Sequence, residues 1–146
     1  MLYICSDHGG FNLKKLLKKH LADKGIAAVD AGPQSLESGD DYPDYVIPVM
    51  RNVQSDSAGG AIVICRNGVG VSMLANKFKG IRAALSWTPQ HAASTRVDDN
   101  TNVLALPADF ISDDVAKQIV DAWLSTKFEN TERHVRRLMK VTEAEK

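Results

Sequence analysis

Residues 61–65 read Ala-Ile-Val-Ile-Cys, an apolar run with no polar alternation. A strand with one face in water alternates apolar and polar residues. An unbroken run belongs to a strand covered on both faces, and helices cover both faces in parallel sheets. The rest of the chain supplies strands and helices in alternation. Leu2–Ser6, Ile26–Ala31, Ile81–Ser86 and Asn102–Leu106 read as further strands. Between them, Leu13, Leu16, Leu17 and Leu21 recur at helical spacing, with Lys14, Lys15, Lys18 and Lys19 assigned to the opposite side and Gly25 ending the helix. Helices are also expected over Tyr42–Gln54 (with Pro48 in its middle), from the glycine-bearing turn after Cys65 to Lys77, and from Pro89 to about Val97. Ser112, followed by Asp113 and Asp114, caps a helix running to Leu124, and the tail from about Glu132 to Thr142 is helical. The pattern predicts an α/β fold: about five parallel strands with helices on both faces, in a single domain spanning 1–146.

In such sheets ligands bind beyond the carboxyl ends of the strands. Polar residues gather there: Asp7 and His8 after the first strand, and Cys65 to Gly70 after the third. A cysteine ending a strand, with a glycine-bearing turn leading into a helix, sets a thiol beside unpaired backbone amides. Those amides and Arg66 favour a thiolate and can hold an oxyanion, which suits proton abstraction next to a carbonyl or nucleophilic attack. The same residues equally fit a buried cysteine beside a packing turn. The turn lacks the lysine of a Walker A loop and the third glycine of a dinucleotide fingerprint, which would fall at Met73. A cysteine-phosphatase loop would need arginine where Val71 stands. Asp7-His8 fits an anion site or a capping turn. Arg133 and Arg137, four apart on one helix face, fit a phosphate clamp or a solvated basic face.

Lysine plus arginine and aspartate plus glutamate both number 18, giving zero formal net charge. Nucleic-acid and anionic-membrane partners, which reward excess positive charge, are not expected. The N-terminus lacks a signal-peptide pattern, and no apolar stretch is long enough to span a membrane. Cys5 and Cys65 are far apart and fit reduced thiols in a cytoplasmic protein. Histidine and cysteine pairs at ligand spacing are too few to predict a metal, and no cofactor is expected.

Taken together, Ser6-Asp7-His8-Gly9-Gly10, Asp41-Tyr42-Pro43-Asp44, Cys65-Arg66-Asn67-Gly68-Val69-Gly70-Val71-Ser72, Ala75-Asn76-Lys77, Gly80-Ile81-Arg82-Ala83 and Thr101-Asn102-Val103-Leu104-Ala105 resemble one family, the type B ribose-5-phosphate isomerases and galactose-6-phosphate isomerase subunits. The resemblance runs almost the whole chain, to Arg133-His134 and Arg137. It implies a Rossmann-like fold, a homodimer or tetramer with shared active sites, a sugar-phosphate substrate and a cis-enediolate mechanism. It implies Cys65 as the base, Asn67 and Asp98 as further catalytic positions, and the Arg66–Gly70 backbone, including Gly68 and Gly70, as an anion hole. His8, Arg133 and Arg137 match phosphate ligands, while Asp7, Tyr42 and Asp99 match residues at the sugar. Two blocks depart from the family pattern. Arg66-Asn67 stands where Gly-Thr is usual, and Asp98-Asp99 where a histidine assists ring opening and an asparagine holds the enediolate. The departures leave open a relative acting on another pentose or hexose phosphate, or a silent sugar-phosphate-binding subunit.

Overall fold

The unbroken apolar run lies at the centre of a five-stranded sheet. The structure is a computed structural model and describes residues 1–56 and 59–145. Strands β1 (Leu2–Ser6), β2 (Val29–Asp30), β3 (Gly60–Cys65), β4 (Ala83–Leu85) and β5 (Val103–Pro107) are all parallel, in the order β2-β1-β3-β5-β4. Helices α1 (Phe11–Asp23), α2 (Tyr42–Ser55), α3 (Val69–Ala75), α4 (Pro89–Asp99), α5 (Asp113–Ser125) and α6 (Glu132–Glu143) follow in chain order, with a short 3-10 turn at His8–Gly10.

Side chains alternate across the pleat, so each central strand feeds two cores. Ile4, Ile62, Ile64, Leu104 and Leu106 point to α1 and α5, where they bury Leu17, Leu21, Ile119 and Trp123. Cys5, Ala61, Val63, Cys65, Val103 and Ala105 point the other way, to Val46, Val49 and Met50 of α2 and Val71 and Ala75 of α3. The second face carries the smaller strand residues, which lets α2 and α3 approach closely. Ser112 caps α5 by accepting from the Val115 amide at 3.2 Å, an interaction that typically contributes about 1 kcal/mol.

Several sequence expectations are corrected in detail. Only Val29–Asp30 of the 26–31 segment pairs in the sheet, because the Ile26 amide still folds back onto Leu21 O at the end of α1. β4 is similarly shortened, since the Ile81 amide closes a turn onto Phe78 O. α3 stops at Ala75, short of Lys77, whereas α2 runs through Pro48 as expected. Lys14 does not lie on the solvent side. It is 1% exposed, and its ammonium meets Asp30 Oδ1 at 2.7 Å and the Pro33 carbonyl. Lys18 reaches the other oxygen of Asp30, so two lysines of α1 anchor the end of β2.

Candidate active site

The strand order reverses between β1 and β3, and in open α/β sheets ligands bind beside such a switch point at the carboxyl ends of the strands. Asp7 leaves β1 there and Cys65 ends β3. The Asp7 amide donates to Ile64 O at 3.4 Å, which ties the two ends together. Asp7 is 7% exposed, and its carboxylate caps the following turn by accepting from the Gly10 amide at 3.2 Å. Gly9 and Gly10 permit this close approach. A Cβ on Gly10 would fall 2.8 Å from Ile64 O, and one on Gly9 would fall 2.4 Å from Arg66 Cγ.

His8 is fixed by Asp40, a residue that sequence reasoning passed over. Asp40 Oδ1 accepts from the His8 amide at 2.9 Å and meets His8 Nδ1 at 2.8 Å. Burial works to raise the Asp40 pKa, but the bonds from the His8 amide and ring outweigh it and hold the carboxyl below its usual range. An ionised carboxylate only accepts, so Nδ1 carries a hydrogen and Nε2 is the ring nitrogen left to face a ligand. Asp40 offered no signal in sequence because it sits 32 residues away in the polar loop before α2.

Cys65 is 5% exposed, with its thiol 3.8 Å from Asn67 Oδ1. The same oxygen accepts from the Val69 amide at 3.0 Å, so the Asn67 side chain braces the turn. Gly68 takes φ 72°, a left-handed conformation. The α3 ladder begins with Ser72 N to Gly68 O at 3.2 Å, which leaves the Gly70 and Val71 amides ahead of it. Tyr42 lies directly on this turn, since a Cβ on Gly70 would be 2.8 Å from its hydroxyl. Arg66 extends outward, 62% exposed, with its guanidinium 3.4 Å from Asp109. The neighbouring strand end also reaches this edge. Ser86, fully buried after β4, meets His91 Nδ1 at 3.0 Å, and Trp87 stacks on His91 at 4.3 Å. These three residues belong to no motif recognised in the sequence.

Asp7, His8, Tyr42, Cys65, Arg66, Asn67, Gly68 and Gly70 therefore converge at one edge. Asp98, Asp99, Arg133 and Arg137 do not join them within one chain. α4 starts at the carboxyl edge and descends to Asp99; Asn100 then turns the chain toward the start of β5. The length of β5 alone separates that end from the Cys65 edge by about 13 Å. α6 begins beside the end of α4, where the Glu129 amide donates to Val97 O at 3.0 Å. It ends near Gly80, whose amide meets the Glu145 carboxylate at 3.0 Å. Arg133 and Arg137 are exposed along it, as are Met139 and Val141.

Among the described residues, no helix is long and apolar enough to cross a membrane. The ribose/galactose isomerase family model matches residues 2–141. The probable ribose-5-phosphate isomerase B of Mycoplasma genitalium is 43% identical, covering 99% of this chain and 95% of the relative. Ribose-5-phosphate isomerase B of Escherichia coli is 41% identical, covering 95% and 92% respectively. The crystal structure of the M. genitalium enzyme with bound ribulose 5-phosphate superposes with a TM-score of 0.94 at 43% identity, over 99% of this chain and 95% of that one. On both sequence and fold, the chain belongs to the ribose/galactose isomerase family.

Proposed function

We propose that this protein is an aldose–ketose isomerase that interconverts ribose 5-phosphate and ribulose 5-phosphate. The observation that carries the reading is the convergence of Cys65, the amide-bearing turn, Asp7, His8 and Tyr42 at the switch point of the sheet. Family membership and the ribulose 5-phosphate bound to the M. genitalium enzyme support the substrate. In the open-chain aldose, the Cys65 thiolate takes the proton from C2, the C1 carbonyl oxygen gains charge, and a cis-enediolate forms. The turn amides around Gly70 stabilise that charge. The thiol then returns the proton to C1, and a proton moves from O2 to O1, giving the ketose with no net change in atoms or electrons. Asp7 and Tyr42 line the sugar, and His8 presents Nε2 to the phosphate.

The remaining site residues come from a second copy of the chain. Asp98, Asp99, Arg133 and Arg137 lie away from Cys65 in their own chain, and α6 leaves Met139 and Val141 exposed. A homodimer, alone or paired into a tetramer, brings that edge to the partner's crevice and lets the two arginines hold the phosphate. The test is isomerisation in deuterated water. Ribulose 5-phosphate should gain deuterium at C1 and ribose 5-phosphate at C2, both lost in Cys65→Ala. Isomerisation with hydrogen fully retained on carbon would refute proton transfer through an exchangeable base.

A further inference from the structure

Beside the join of α4 and α6, three side chains distant in sequence converge: Asp98, Glu129 and His134, with one ligand atom from each within 4.8 Å of the others. His134 is 3% exposed. Its Nδ1 lies 3.1 Å from Glu129 O, a carbonyl that can only accept, so Nδ1 carries a hydrogen. In the neutral ring the Nε2 lone pair then points into the cluster, toward Asp98 Oδ1 at 3.5 Å. That separation is too long for a good hydrogen bond, and a lone pair facing a carboxylate is repulsive. Among the described residues, neither Asp98 nor Glu129 forms an ion pair with a lysine or arginine. Two carboxylates and an imidazole nitrogen thus share one small volume, with neither carboxylate paired to a lysine or arginine among the described residues.

We propose that Asp98, Glu129 and His134 form a site for a divalent transition-metal cation of the zinc class. The donor set is one imidazole nitrogen and two carboxylate oxygens, which suits such an ion with water in a fourth position. Ligand atoms around a tetrahedral zinc lie about 3.3–3.5 Å apart, the separation already found between His134 and Asp98. Donation from the opposite ring nitrogen to a backbone carbonyl is the usual way a ligating histidine is oriented. The frame is built rather than incidental. The Glu129 amide is bonded to Val97 O, the Thr131 amide to Glu129 O, and the His134 amide to Thr131 O, so backbone contacts hold all three ligands together. Sequence spacing gave no signal, because the ligands come from the end of α4, the loop after α5 and the first turn of α6. A cation here fastens α6, and with it Arg133 and Arg137, to the body of the chain. Metal binding and the sugar role proposed for Asp98 compete for one carboxylate, so bound zinc lowers isomerase activity. That consequence rests on the proposed function, whereas the binding test does not.

The experiment uses the full chain, freed of metal by chelator dialysis and titrated with zinc chloride by calorimetry. We expect one zinc per chain. Affinity should fall at least tenfold in Asp98→Asn, in His134→Gln and in Glu129→Gln, the last being an exposed side chain whose replacement leaves folding intact. Zinc should also slow amide hydrogen exchange across 132–143 in the parent chain and not in Glu129→Gln. Cobalt substitution should give visible bands without the near-ultraviolet absorption of a metal thiolate. Three outcomes would overturn the site: no stoichiometric binding, binding undiminished in Glu129→Gln and Asp98→Asn, or a thiolate band that moves the metal to Cys65. Equal competition by magnesium would also overturn it, because a hard oxygen-seeking ion has no use for the imidazole.

Discussion

A mixture of two inactive variants should recover activity if each site is assembled from two chains. The first variant is Cys65→Ala, which removes the proposed base. The second is Arg133→Ala with Arg137→Ala, which removes the two proposed charge-assisted contacts to phosphate, worth about 1.5–3 kcal/mol each. Their joint loss corresponds to a fall of roughly 10²–10⁴ in kcat/KM, so both parents give negligible background. Unfolded together at equal concentration and refolded, they pair at random, and half of the dimers are mixed. In a mixed dimer one site carries every defect and the other carries none. Intact sites are then about a quarter of the total, and about 25% of parent activity should return. The prediction follows from geometry: Cys65 ends β3 at the carboxyl edge, whereas Arg133 and Arg137 lie on α6, which joins the body at the far end of α4. The assay is initial-rate isomerisation of ribose 5-phosphate across a series of mixing ratios. A parabola with its maximum at equal mixing is expected. A flat profile at background, with mixed dimers verified by mass spectrometry, would refute the shared site and require α6 to fold onto its own crevice.

Four further outcomes can be measured. Lys14→Met should cost about 3 kcal/mol and lower Tm by roughly 10 °C, because it strips a buried partner from Asp30 and the Pro33 carbonyl; a Tm within about 2 °C of the parent would refute this. Cys5 is fully buried and its pKa is pushed up to about 12 by that burial, so iodoacetamide at pH 8 should label Cys65 alone, with ribulose 5-phosphate protecting it; labelling of Cys5 in the folded chain would contradict the packing. Burial works against ionisation of Asp30 and Asp40, yet hydrogen bonds from Lys14, Lys18 and the Gly32 amide, and from His8, hold both below their usual value of 3.8. Groups with lowered pKa stabilise the fold fully above that value and lose the contribution as pH falls through the folded value, so Asp30→Asn or Asp40→Asn should flatten stability below about pH 4. An unchanged acid limb in both variants would refute the assignment. Gly68→Ala should cost at least about 2 kcal/mol and reduce turnover, since its φ is 72° and a Cβ would lie 2.5 Å from Leu85 Cδ1; native stability would show that the turn relaxes.

How far the sequence reveals this protein depends on the range of the interaction that places each residue. The central strands are legible because β3 and β5 are apolar throughout, and only a sheet covered on both faces accepts such strands. α5 is legible because Ser112, Asp113 and Asp114 act within one turn. The edge strands blur because their limits are set by partners: Ile26 to Ala28 are apolar enough for a strand, but their backbone is still leaving α1. Lys14 misleads for a related reason. Helical periodicity puts it among solvent-facing lysines, and only the return of β2 brings Asp30 over it. The same distinction divides the candidate site. Cys65, Asn67, Gly68 and Gly70 are read from one turn, whereas Asp40 against His8 and Ser86 against His91 arise from segments that meet only in space. The departure at Asp98 is the sharpest case. In sequence it is an acid in place of a family histidine; in the structure it has a buried histidine, His134, 3.5 Å behind it. Under the two proposals, an acid at position 98 takes an imidazole away from the sugar site and supplies an oxygen donor beside Glu129 and His134. Two substitutions compared side by side therefore separate the two proposed roles: Asp98→His restores the imidazole while altering the donor set, and Glu129→Gln weakens the donor set while leaving position 98 untouched.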